Sequence, residues 1–265
     1  MVTTIPQRPC VLVFAGHDPS GGAGIQADIE AVAAQGAHAL PVITALTVQD
    51  NDHVYALEAV PHTLILQQAR CLLDKIPVAA MKVGIAGNAE NARAIAALIQ
   101  QLRIKNPRLP VVVDTVLGSG HGDRLSLDDA VVAIQPLLKV ATLLTPNLPE
   151  LQRLVPHAAE QQAQVEMLMQ MTAADVLLKG GHAAAALVDN FWYSHAGGEQ
   201  HWQWPRLPGE FHGSGCTLAS AIAAQLALGH SMRHALDQAQ IYTQQSLQRA
   251  YAIADGQFIP GRSFK

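Results

Sequence analysis

Cysteine is scarce in this chain, and what there is does not pair. Cys10, Cys71 and Cys216 are the only three among 265 residues, at spacings that suit neither a zinc cluster nor a redox couple. A disulfide framework is excluded, and a reducing, cytoplasmic setting is expected. Charge is thin as well: 14% of residues are charged, and the net is −4. The basic excess that marks partners such as nucleic acid or an anionic membrane is missing, so neither is expected. No apolar run approaches the roughly 18 residues of a membrane span. The opening "MVTTIPQRPCVLVFAG" holds one arginine and a short apolar run, and no secretory leader is expected. The pattern G-x-x-x-x-G-K-[ST] does not occur, which excludes a P-loop. Linkers, repeats and low-complexity segments are missing too, so one domain over 1–265 is the expectation.

What the chain has in quantity is apolar residues, 49% of the total. They fall into two alternating kinds of segment. Val11–Phe14, Leu40–Leu46, Met81–Val83, Pro110–Asp114, Thr142–Asn147 and Asp175–Gly181 read as short buried strands. Between them lie helical spacings: Ile25, Ile29, Val32 and Ala33; His62–Leu73; and Ile95, Leu98, Ile99 and Leu102 behind a capping Asn88. A helix over about Glu160–Thr172 follows, then a hairpin from "ALVDNFWYS" and "HWQW". Two closing helices start after Gly215 and at Ser231. Buried strands alternating with helices predict an α/β fold with a mostly parallel sheet covered on both faces.

In such sheets ligands sit beyond the carboxyl ends of the strands. Glycine and polar residues gather in those loops: "AGHDPSGGAG", "TVLGSGHGD", "PNLPE" and "KGGH". The segment "EFHGSGCTLASAIAAQLALG" places Gly213, Ser214, Gly215 and Cys216 at the mouth of an apolar helix. The first N–H groups of a helix lack intrahelical partners and carry partial positive charge, so this turn suits a phosphate. A glycine-rich helix start is also common without any ligand. Cys216 reads two ways: a thiol whose pKa the helix start lowers, able to accept a proton, or a small buried apolar residue. Asn147 and Glu150 fit a capping box and, equally, the water shell of Mg²⁺. Asp114 has the same ambiguity, and Lys179 suits either a phosphate or a carboxylate. His17, His121, His182 and His212 fall in the same loops without metal-ligand spacing. Gly22-Ala23-Gly24 with Ala27 is a degenerate dinucleotide fingerprint, and the acidic partner it needs at the next strand end is missing.

Taken in order, "AGHDPSGGAGIQAD", "VITALTVQD", "KVG", "VVVDTVLGSGHGDRL", "LLTPNLPE", "VLLKGGH" and "HGSGCTLASAIAA" resemble the hydroxymethylpyrimidine and phosphomethylpyrimidine kinases of thiamine synthesis, within the ribokinase-like superfamily. The resemblance runs from about Val11 to Leu228. The cysteine after G-[ST]-G is its most telling residue, because most ribokinase relatives have aspartate there. It implies a three-layer α/β/α kinase that uses ATP and Mg²⁺ on a small-molecule pyrimidine and forms a homodimer. It places Gly16, Asp28, Gln49, Gly84 and Val116 around the pyrimidine, with Asp28 accepting from the ring amino group and Gln49 pairing with a ring nitrogen. Asp114, Asn147 and Lys179 fall on the nucleotide side, with Glu150 at the metal. Gly213, Ser214, Gly215 and Cys216 fall at the anion hole and proton acceptor. The loop Gly118–Leu125, with three glycines, is implied as a mobile lid.

The chain departs from the family pattern in places. Asp114-Thr115-Val116-Leu117 lacks the usual proline, and the usual lysine is missing at about Gly120. Ile85 stands where methionine is common, and Ser214 stands for threonine. A pyridoxal kinase of the same fold is the nearest rival reading. A non-catalytic pyrimidine sensor and a nicotinamide oxidoreductase are the more distant ones.

Overall fold

The computed structural model of the protein describes residues 7–181 and 186–263. His182, one of the loop histidines singled out above, lies outside them. Among the described residues every strand joins one nine-stranded sheet, in the order β3-β2-β1-β4-β5-β6-β7-β8-β9. The strands are β1 Cys10–His17, β2 His38–Gln49, β3 Val54–Ala59, β4 Val78–Val83, β5 Val111–Val113, β6 Leu143–Leu144, β7 Asp175–Lys179, β8 Leu187–Tyr193 and β9 Glu199–Pro205. The β2–β1–β4–β5–β6–β7 run is parallel. Antiparallel pairs, β2–β3 at one edge and β7–β8–β9 at the other, close the sheet.

Alternation along the strands divides the core in two. Leu12, Phe14, Met81, Val83, Val111 and Val113 pack on one face, against α2 His62–Leu73, α3 Ala89–Lys105, α4 Ala130–Leu138, α5 Leu148–Leu154 and α6 Gln161–Thr172. Val11, Val13, Ala15, Ala80 and Val112 face the other way, against α1 Gly24–Ala34, α7 Ser214–Ala227 and α8 Met232–Gln248. The result is the expected three-layer α/β/α arrangement.

Local chemistry explains the helix starts. Asn88 accepts from Asn91 N at 2.7 Å, and Asn147 and Glu150 close a capping box at the head of α5. α2 occupies the span that its apolar spacing predicts. Two elements differ from expectation. β3 was not foreseen, because it is an edge strand exposed on both faces and lacks an apolar alternation. α4 was not foreseen either, since it contains Pro136, which removes a backbone donor.

Strand order reverses direction of build between β1 and β4, which opens a crevice at their carboxyl ends. The loops after β1, β4, β5, β6 and β7 all end there.

Candidate active site

That crevice is a cleft of about 630 Å³. Its depths are built from strand ends and from the first turn of α7. Gly213 caps α7 at φ +75°, a left-handed conformation that favours glycine. A Cβ there would collide with the carbonyl of Gly22 and would stand 2.9 Å from Arg262. The turn therefore lies tight against the loop after β1. Among the described residues no side chain caps α7, so the N–H groups of its first turn are open to an anion. A Cβ on Gly215 would come 3.3 Å from Lys179 Nζ and 3.6 Å from Asp114 Oδ2. The turn thus faces the charged ends of β5 and β7 directly.

Asp114 is buried at the end of β5. Lys179 Nζ donates to its Oδ1 at 3.1 Å, and Thr145 Oγ1 donates to the same atom at 3.0 Å. Burial would raise the Asp114 carboxyl, but Lys179 and then Lys82 outweigh it and hold it below the usual range. Burial works against the Lys179 ammonium; Asp114 and Glu150 prevail and keep it protonated. Glu150 moves the other way. Burial and the neighbouring Asp114 push it up to about 7, against the pull of Lys179. Its Oε2 accepts from Asn147 N at 2.8 Å and from Thr115 Oγ1 at 3.2 Å. Asp114 Oδ2 is buried without a hydrogen-bond partner among the described residues. An orphaned carboxylate oxygen beside a second, reluctant carboxylate is what a hard divalent cation satisfies. These residues fit Mg²⁺.

Cys216 lies at the floor of the cleft. Of the two readings of Cys216, the one with a lowered pKa does not hold. Burial pushes the thiol up to about 11, and the Asp114 and Asp28 carboxylates add to that. Lys82 and the N–H of Gly24 pull down without winning. The helix start alone does not make this sulfur a thiolate.

Gly16, Gln49, Gly84 and Val116 line the cleft with Asp114, Asn147, Glu150, Lys179 and the 213–216 turn. Asp28 does not. It is fully buried on α1, where Lys82 Nζ donates to both its oxygens at 2.8 and 2.9 Å and Ser220 Oγ donates at 2.6 Å. Its acceptor capacity is spent inside the protein, so contact with a ring amino group is corrected to a structural role. Lys82 takes the place at the cleft wall instead. Burial disfavours its ammonium, but the facing Asp28 carboxylate holds it protonated above the usual lysine range. A lysine inside the apolar strand "VAAMKVG" is the sequence signal for it. Asp18 was also missed. It accepts from Ser20 N at 2.8 Å and Ala23 N at 2.7 Å and pairs with His212 at 2.8 Å, which knits the glycine loop to the segment leading into α7. His212 in turn lies 3.3 Å from Gln49 Nε2. The Gly118–Leu125 loop is a compact turn, with Ser119 Oγ 2.9 Å from Asp123 Oδ2.

The family model for phosphomethylpyrimidine kinase matches residues 18–260. The hydroxymethylpyrimidine/phosphomethylpyrimidine kinase of Streptomyces coelicolor is 36% identical over 255 residues, covering 94% of this chain and 92% of that protein. The kinase of the same name from Salmonella typhimurium is 34% identical over 260 residues, 96% of each. Among solved structures, phosphomethylpyrimidine kinase from Clostridium difficile 630 matches with a TM-score of 0.72 at 30% identity, over 91% of this chain and 100% of that one. Staphylococcus aureus pyridoxal kinase in complex with AMP-PCP and pyridoxal shares the fold, with a TM-score of 0.83 at 24% identity over 97% of this chain and 94% of that one. Motif order, site geometry and these matches agree: the chain belongs to the phosphomethylpyrimidine kinase family, a group of phosphotransferases on the ribokinase-like fold.

Proposed function

We propose that this protein transfers the γ-phosphoryl group of ATP to the hydroxymethyl oxygen of 4-amino-5-hydroxymethyl-2-methylpyrimidine, and then phosphorylates the resulting monophosphate, in thiamine biosynthesis. The observation that carries the reading is the juxtaposition of Cys216 and the uncapped first turn of α7 with the Asp114–Lys179–Glu150 cluster in one cleft. ATP use is supported by the AMP-PCP bound to the pyridoxal kinase of the same fold. Its fold likeness does not favour pyridoxal as substrate here, since the matches of higher identity are to pyrimidine kinases.

Phosphoryl transfer asks a protein chiefly for positioning and for stabilisation of charge on the transferring oxygens. The N–H groups of Ser214, Gly215 and Cys216 supply that stabilisation, and Lys179 adds a positive charge next to Gly215. In its thiolate form Cys216 takes the hydroxymethyl proton and becomes the thiol as the substrate oxygen bonds to γ-phosphorus and the bond to the β-phosphate oxygen breaks. Asn147 orders the nucleotide side by fixing Glu150 through the capping box. Gly16, Gln49, Gly84 and Val116 wall the pyrimidine. Asp114 and Glu150 would hold Mg²⁺, which neutralises phosphate charge.

Because Glu150 titrates at about 7, protons compete with the cation there. The ionised form is lost as pH falls through that value. The Mg²⁺ concentration for half-maximal turnover is therefore expected to rise about tenfold per unit below pH 7 and to level off above pH 8. A requirement that stays flat from pH 6 to 8 would remove Glu150 from the metal site.

The reading is tested by incubating the protein with ATP, Mg²⁺ and either the pyrimidine alcohol or pyridoxal, with phosphorylated products resolved. Pyrimidine mono- and diphosphate are expected. Preferential formation of pyridoxal phosphate, or pyrimidine binding with no ATP turnover, overturns it.

A further inference from the structure

The rim of the cleft carries a second constellation that phosphotransfer does not use. Asp52 and His53 sit in the turn between β2 and β3, and His121 sits in the loop after β5. Each offers one ligand atom, and the three atoms lie within 4.8 Å of one another. The Asp52 carboxylate stands between the two imidazoles. His53 Nε2 is 3.7 Å from its Oδ2, and His121 Nδ1 is 3.9 Å from its Oδ1. The rings are close, with centroids 4.7 Å apart.

The far nitrogen of each ring faces a different carboxylate. His53 Nδ1 is 3.4 Å from Asp123 Oδ2, and His121 Nε2 is 3.5 Å from Glu210 Oε2. A carboxylate on the outer nitrogen is the arrangement that orients a metal-binding imidazole and raises its basicity. The turn is held in advance. Asp50 Oδ1 accepts from Asp52 N and His53 N, both at 2.8 Å, and Asn51 Nδ2 donates to the carbonyls of Asp255 at 3.0 Å and Gln257 at 3.1 Å. Asp123 Oδ2 also accepts from Val54 N at 3.0 Å, joining the loop after β5 to the same turn.

Two ligand classes fit imidazoles at a cleft mouth, a phosphate and a cation. Four carboxylates, from Asp50, Asp52, Asp123 and Glu210, surround these two rings, and the nearby Arg124 is turned to the carbonyl of Leu127 at 2.7 Å. The local field repels phosphate and attracts a cation. A His₂-carboxylate set suits zinc-class ions better than Mg²⁺ or Ca²⁺, which prefer all-oxygen ligands.

We propose that Asp52, His53 and His121 bind a zinc-class divalent ion, with the fourth position open to water, and that this ion clips the 118–125 loop to the β2–β3 turn across the cleft mouth. The contact of His121 Nδ1 with the Asp52 carbonyl, 2.9 Å, is the one the ion replaces. The site is separate from the Asp114–Glu150 pair and does not depend on the phosphotransfer reading.

Titration of the full chain with Zn²⁺ alone, without nucleotide or Mg²⁺, tests it. One tightly held ion per chain is expected at the histidine site, and Co²⁺ in its place is expected to give the visible absorption of a four- or five-coordinate site. His53→Ala and His121→Ala should each weaken binding by about tenfold or more. Both side chains are exposed in turns, so these variants keep the fold. Asp114→Asn and Glu150→Gln should leave the affinity of that site within about twofold, since neither is among its three ligands. Absence of Zn²⁺ binding, unchanged affinity in both histidine variants, or loss of binding in the Asp114 and Glu150 variants overturns the assignment.

Discussion

Cys216→Ala is expected to lower turnover by about 10²–10⁴-fold, the span that removal of a general base covers, with pyrimidine affinity near that of the parent. The structure adds a pH signature to that loss. The Cys216 thiol is pushed up to about 11 by burial and by the Asp114 and Asp28 carboxylates. A raised thiol pKa means the proton-accepting thiolate is gained as pH rises, about tenfold per unit below that value. Glu150, half ionised near 7, complicates the profile only up to about pH 8, above which it is largely ionised. Between pH 8 and 10 the climb in turnover therefore belongs to Cys216. The alanine variant, assayed over the same range, should show a flat residual rate. Turnover that survives the substitution, or a climb that persists without the sulfur, removes Cys216 as the proton acceptor and leaves it a packing residue.

The second large effect concerns folding. Asp28→Ala strands the ammonium of Lys82, a side chain with no exposure whose charge Asp28 meets with both oxygens. Leaving one member of a buried pair uncompensated costs about 3–5 kcal/mol. For a chain of this size that lowers Tm by roughly 10 °C. The double variant Asp28→Ala with Lys82→Met removes both charges and should regain a large part of the loss. Thermal unfolding of the parent, the two single variants and the double variant gives the coupling directly. Had Asp28 served the pyrimidine, as the motif resemblance implies, the variant would raise KM and leave Tm unchanged. A Tm within error of the parent, with weakened pyrimidine binding, would reinstate that reading.

The two predictions meet at Lys82. It faces Asp28 on one side and the cleft on the other, and it is among the charges acting on Cys216. Losing Asp28 therefore alters the field on the sulfur as well as the stability of the sheet. The Cys216 profile is best read in variants that keep the Asp28–Lys82 pair.

The amino-acid sequence by itself determined the features whose physics is local. Apolar spacing set α2 at His62–Leu73, and side-chain caps set the starts of α3 at Asn88 and α5 at Asn147. Buried runs gave the parallel strands, and the glycine turn before Cys216 marked the start of α7. Each of these depends on residues within a turn or two of each other. Tertiary structure decided the rest. Asp28 meets Lys82 across 54 positions and Ser220 across 192, which turned a presumed ligand contact into a buried ion pair. Burial among carboxylates from other elements decided between the two readings of Cys216, raising the thiol that a helix start alone would lower. Arg262 donates to the carbonyl of Gly22 and to Thr217 Oγ1 at 2.8 Å, tying down the start of α7 from 240 and 45 positions away. Burial and Coulomb energies depend on distances in space, and strand periodicity and capping depend on distances along the chain; only the latter are written in the order of the residues.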